Sequence, residues 1–438
     1  MIWTIFWINI FTIAISFKKR MILYALMNAI FLYLVTGQAF QIQADLELSG
    51  SVQYLFHYIN GAGFNLALWY VLGISCVSLA LALISRGYIR GTRPKPLYTF
   101  APSRRFYILL FIFLFLLSSI LIFWLVGISE FLNSTRPGIQ SGSTSFIVLL
   151  IVGVMPFLLK VLTKSKIERG DIICFLFSFV ITAAFSRINV IVYLTAILLV
   201  YYYASGWADR PISMRLLARL LLIGSITVVM FFGVGAIRSA QSFTGGSFGS
   251  LISYLIEHPE NSLLSLEFNY RFGIEGMSGI TGAFTQYLWD PSSVHYDYGA
   301  SWMIRGIIQW LPGFLKTYAY PLSLLSYSLN WYPNSIVASG AEKMYVSYGW
   351  FATLLYPIAV YLLGWVLPLK MLAKRTSPLI LLCGYTFLAC CIFFVRGSLD
   401  VWIAFSFSYV IIILLFWPLF RRQLHRIDKR PEISRGHS

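Results

Sequence analysis

Arg187 stands inside the longest apolar run of the chain, Ile172 to Ala204, beside Ser186 and Asn189. A guanidinium stays charged at every physiological pH, and its planar fork of donors suits phosphate or carboxylate. Even on the mildest scales a charge at the bilayer centre costs about 2.5–3.5 kcal/mol, so Arg187 is expected to face a watered cavity or an anionic ligand. Arg238 closes the run Gly235, Ala236, Ile237, Arg238 at the end of another apolar stretch. Arg396 and Asp400 fall four apart beside Gly397, a plausible helix stop, where they can pair as a clasp or serve a ligand. Glu267, Arg271 and Glu275 stand at i, i+4, i+8, which is one face of a helix and reads as a ladder of ion pairs, solvated or functional. Arg305 lies in the turn-rich stretch from Tyr298 to Pro312 as an interfacial cation or an anion contact, and His258 and His295 are the only histidines between Ile237 and Tyr345.

Several arginines without matching acids point to a bound anion, and two or three guanidinium forks suit a diphosphate. The chain has no Walker A loop, no Gly-x-Gly-x-x-Gly fingerprint, no Gly-x-Ser-x-Gly elbow and no His-Glu-x-x-His or comparable metal cluster. Neither a cofactor nor a metal is expected, so any chemistry must use a substrate that arrives already activated. A lipid-linked diphosphate sugar fits, because its phosphate is the leaving group and its tail lies in the bilayer.

These residues must be positioned by membrane helices. With 58% hydrophobic and only 11% charged residues, the chain is an integral membrane protein and not a soluble globule. Apolar runs near spanning length recur at Ile2 to Phe17, Met21 to Phe40, Phe64 to Ile84, Phe106 to Ile128, Ser145 to Leu162, Ile172 to Phe185, Ile188 to Ala204, Leu216 to Gly235, Val346 to Leu367, Pro378 to Val395 and Val401 to Phe420. The expected fold is therefore an all-α polytopic helical bundle of about eleven spans. Its divisions are an N-terminal bundle over 1–236, a large extracytoplasmic loop over 237–345, a C-terminal bundle over 346–420 and a basic tail over 421–438.

The net charge of +17 is not the mark of a nucleic-acid binder, because Lys and Arg gather in alternate loops, as the positive-inside rule requires. Basic clusters at Lys18 to Arg20, Arg86 to Arg105, Lys160 to Arg169, Arg210 to Arg219, Lys370 to Arg375 and the tail from Arg421 put the N-terminus outside and the C-terminus inside. The first run lacks a basic n-region and a cleavage site and reads as a retained helix. The five cysteines sit in apolar runs and read as packing residues.

Loop-charge parity also makes Ile172 to Ala204 cross twice, as a helical hairpin with its apex at Ser186 to Asn189. Each arm reaches only about 22 Å against a core near 30 Å, so the apex is expected to floor an outward-opening vestibule. The segment from Ile237 to Tyr345 is expected to lie along the membrane surface in interfacial helices. Its many Tyr and Trp residues, Tyr287, Trp289, Trp302 and Trp310 among them, suit an interface and also suit sugar rings.

The apolar spans, the long late outer loop, the Ser186-Arg187-x-Asn189 stretch, the Gly-x-x-Arg ending at Arg238 and the stretch from Arg396 to Asp400 together resemble the Wzy-type family of oligosaccharide repeat-unit polymerases. Enterobacterial common antigen polymerases are the plausible relatives within it. The resemblance implies a membrane glycosyltransferase of GT-C-like architecture in the bacterial inner membrane. It implies transfer of a growing undecaprenyl-diphosphate-linked polysaccharide onto the next lipid-linked repeat at the periplasmic face, with a chain-length regulator and a flippase as partners. On this reading Arg187, Asn189, Arg238 and Arg396 hold the donor diphosphate, and Arg271 or Arg305 holds that of the acceptor. The base is one of Asp400, Glu275, Glu342 and His295. The alternatives are an O-antigen-ligase-like transferase and a flippase or transporter of lipid-linked sugars, the latter requiring a polar path open to both faces.

Overall fold

The computed structural model describes residues 1–54, 57–87, 98–125, 145–185, 187–204, 276–289, 340–373, 377–396 and 399–426. The first half forms helices α1 (Ile2–Lys18), α2 (Ile22–Ser49), α3 (Gly61–Ile84), α4 (Arg104–Leu125), α5 (Ser145–Leu162), α6 (Arg169–Phe185) and α7 (Arg187–Ala204). The second half gives α8 (Met277–Trp289), α9 (Gly340–Tyr348), α10 (Ala352–Tyr361), α11 (Leu367–Ala373), α12 (Pro378–Ala389), α13 (Cys391–Arg396) and α14 (Leu399–Arg421). A 3₁₀ turn, Gly349–Phe351, joins α9 to α10, and a π-helical turn, Leu362–Val366, joins α10 to α11. Among the described residues, strands form two antiparallel pairs, β1 (Ser51–Tyr54) with β2 (His57–Asn60) and β3 (Tyr98–Phe100) with β4 (Leu424–Arg426).

This is an all-α membrane protein. Among the described residues, five stretches are long and apolar enough to cross a bilayer: Ile22–Ser49, Gly61–Ile84, Arg104–Ile122, Gly340–Lys370 and Pro378–Val395. Shorter apolar helices accompany them at Ile2–Lys18, Ile147–Leu162, Val192–Tyr203 and Phe405–Arg421. Where described, the apolar runs read from the sequence fall on helical segments; the run from Phe106 is described only to Leu125, and Leu216 to Gly235 lies outside the described residues.

The basic loops gather at one end of the bundle. Lys19 Nζ donates to the carbonyls of Ala82, Leu83 and Ser85 at 2.6–2.8 Å, capping the C-terminal end of α3 with a cation, where the helix dipole favours it. Nearby, β3 pairs with β4, and the Phe100 amide donates to Ser165 Oγ at 3.1 Å. Lys160, only 2% exposed, pairs with Glu168 Oε1 at 2.8 Å. Asp171 accepts from Tyr107 Oη at 2.6 Å and from the Glu168 amide at 2.8 Å, so α4, α5 and α6 are tied together where the chain is most basic.

Small and polar residues set the close helix contacts elsewhere. In α1, Asn9 donates to Ser75 Oγ of α3 at 2.8 Å. At the α5–α6 crossing a Cβ on Gly153 would collide with Ser178, so glycine lets the two backbones approach.

Two features depart from the sequence reading. First, the segment between Ile237 and Tyr345 was expected at the membrane surface, yet α8 packs against α2, α3 and α9, with Met277 to Thr285 buried. Second, the run read as Val346 to Leu367 is not one straight helix, and the helix before it, from Gly340, folds back on it. In a continuous helix Gly340 and Tyr356 would stand roughly 24 Å apart. Here a Cβ on Gly340 would lie 3.4 Å from the Tyr356 ring. The chain folds back at Gly349, whose φ of 59° lies in the left-handed region where glycine is at ease.

Candidate functional site at the convergence of helix ends

The end opposite the basic loops is built from helix termini. α8 starts deep in the bundle: Gly276 packs so closely on the Leu34 carbonyl of α2 that a Cβ would collide with it. Its first amides would be unsatisfied there. Gln38 Oε1 answers them, accepting from the amides of Gly276 and Ser278 at 3.2 Å each. The far end of α8 rises to the β1–β2 hairpin, where Trp289 stacks on Tyr58 at 4.7 Å between centroids. Both of those rings are exposed, at 59% and 42%.

α9 starts at a similar depth. Its first residue, Gly340, abuts the carbonyl of Phe394 in α13, two residues before Arg396. Tyr70 of α3 holds the first turn by donating from Oη to the Ala341 carbonyl at 2.7 Å. Glu342 occupies that turn and is 1% exposed, with its carboxylate against the backbone of Gly279 in α8, where a Cβ would collide with it. The N-terminal partial charges of α8 and α9 favour an anion in this position. The Tyr70 ring meets Tyr345 of α9 at 5.3 Å between centroids, and the Tyr356 ring packs at Gly340, two residues before Glu342. The Tyr356 ring stacks on Phe394 at 5.6 Å, and its hydroxyl has no hydrogen-bond partner among the described residues.

The sequence-derived candidates divide into two sets. Arg187 opens α7 with Asn189 in its first turn, Arg396 ends α13, and Asp400 lies in the first turn of α14; the backbones of these four are described and their side chains are not. Arg238, Arg271, Glu275, His295 and Arg305 lie outside the described residues.

The helix register relates the first set. α6 starts beside the basic segment at Asp171, and α7 packs on α5, α6 and α12. Tyr193 of α7 contacts Tyr409 of α14 at 5.3 Å, and Tyr203 stacks on Tyr385 of α12 at 6.4 Å. α7 and α14 descend together, so stepping back equally from Tyr193 and Tyr409 sets Arg187 level with Ile403, about one turn from Asp400. Counting instead from Tyr203 and Tyr385 along α12 and α13 sets Arg187 about five residues beyond Arg396. The register therefore brings the starts of α7 and α14 within about one turn of each other, and the first residue of α9 touches α13 at Phe394, two residues before Arg396.

Such an assembly has definite chemical capacity. Helices that begin inside a bundle direct amides and positive partial charge at a ligand, which suits an anionic group held at membrane depth. Among the described residues no group of three His, Cys, Asp or Glu side chains is arranged to hold a metal ion. Gln38, Tyr70, Tyr345, Tyr356, Gly279 and Gly340 were not singled out from the sequence. Their types are ordinary in membrane helices, and only contacts between distant segments assemble them. Comparison of the chain with family models, with curated proteins and with solved structures finds no match.

Proposed function

We infer that the protein is a membrane glycosyltransferase that joins lipid-diphosphate-linked oligosaccharide repeats into a longer polysaccharide at the outer face of the bacterial inner membrane. The observation that carries this reading is the helix register that sets Arg187, at the start of α7, about one turn from Asp400 at the start of α14, which follows Arg396 in the chain. Two guanidiniums there can neutralise a diphosphate and offset the charge that develops on it as a leaving group. The anionic lipid carries its own activation, consistent with the absence of a nucleotide-binding motif in the chain. The exposed Tyr58–Trp289 stack at the same end offers aromatic faces of the kind that pack on sugar rings. The resemblance to the Wzy-type polymerases supports the same assignment, with undecaprenyl diphosphate as the carrier, a GT-C-like architecture, a periplasmic N-terminus and a cytoplasmic C-terminus.

The test is to supply purified protein in liposomes with lipid-linked repeats and to resolve the lipid-linked products by size. A ladder of longer products is expected. Movement of repeats across the bilayer without elongation would replace the reading with a flippase, and transfer only to an added lipid A core would replace it with a ligase.

A further inference from the structure

We propose that Glu342 is the group that receives the proton of the acceptor hydroxyl. This proposal rests on the glycosyl-transfer reading and deepens it, since sequence alone left Asp400, Glu275, Glu342 and His295 as equal candidates. A carboxylate 1% exposed in a bundle interior carries a desolvation cost that a purely structural helix end does not need. Glycine at position 279 leaves room for that carboxylate against the α8 backbone, and glycine at 340 brings its helix onto α13 next to Arg396. The amide ends of α8 and α9 support its negative charge. At Gly340, two residues before Glu342, the Tyr356 ring packs on the start of α9, and its hydroxyl, buried and without a hydrogen-bond partner among the described residues, is available to bind a sugar hydroxyl.

In the step itself the acceptor oxygen attacks the anomeric carbon of the donor, and the bond from that carbon to the diphosphate oxygen breaks. Its electron pair leaves on the lipid diphosphate, whose charge the arginines offset. The hydroxyl proton passes to the Glu342 carboxylate, and the new glycosidic bond completes the balance.

The experiment uses full-length protein in liposomes, with single-turnover elongation and binding of the lipid-linked repeat measured side by side. Glu342→Gln is expected to slow elongation by about a hundredfold or more while repeat binding stays within about threefold. Gly279→Ala keeps the carboxylate and displaces it, so a fall of roughly ten- to a hundredfold is expected with binding again retained. Elongation by inserted Glu342→Gln protein at the wild-type rate overturns the assignment. If that variant does not insert, an unchanged rate in Gly279→Ala overturns it instead. Failure of the wild-type protein to elongate at all overturns the functional reading, which is a separate result.

Discussion

Arg187 was legible from the sequence because an obligate cation in an apolar run has few explanations. The structure adds that it stands at the start of a helix, about one turn from Asp400 by the register of α7 against α14. Arg187→Ala is expected to reduce elongation by about 10²–10³-fold, the usual effect of removing one preorganised charge-stabilising donor. The measurement is product length in cells together with the amount of inserted protein, and wild-type chain lengths from inserted Arg187→Ala protein would sink the donor-site proposal. Lysine at this position should recover only part of the activity, since a point charge lacks the bidentate fork. Glu342 was harder to read. In the sequence it is one acid among several, and its burial depends on Gly279 and Tyr70, which are remote along the chain.

At the scale of elements, the helices were legible because apolar runs bounded by charge are the strongest signal a membrane chain carries. The turn between α6 and α7 followed from the basic loops on either side. What the sequence concealed was the burial of α8 and the fold-back of α9. Both are short, and their composition is too polar to announce a crossing; close glycine contacts bury them, not hydropathy. Gly340→Val is therefore expected to push α9 from α13 and abolish elongation, and to lower thermal stability by about 1–3 kcal/mol, as overpacking commonly does. At the opposite end, Tyr107→Phe removes a donor from buried Asp171 and should cost about 1–3 kcal/mol. Detergent unfolding checks both variants, and elongation separates them, because Tyr107→Phe should retain it wherever the protein stays folded.

For the whole molecule, the described basic segments are tied to helix ends around Lys19, Phe100 and Ser165, apart from the contacts around α8 and α9. The positive-inside rule predicts that the candidate site faces outward. Single cysteines test that orientation: Glu47→Cys should be labelled by an impermeant maleimide in intact spheroplasts, and Arg422→Cys only after lysis. The reverse pattern would move the site to the cytoplasmic face and remove the polymerase reading.

The most direct test of the account is an experimental structure with a lipid diphosphate bound. The account predicts diphosphate density at the level where α7 begins and α13 gives way to α14, within hydrogen-bond reach of the Arg187 and Arg396 guanidiniums. Diphosphate density among the basic loops at the other end, with both arginines turned away from it, would contradict it.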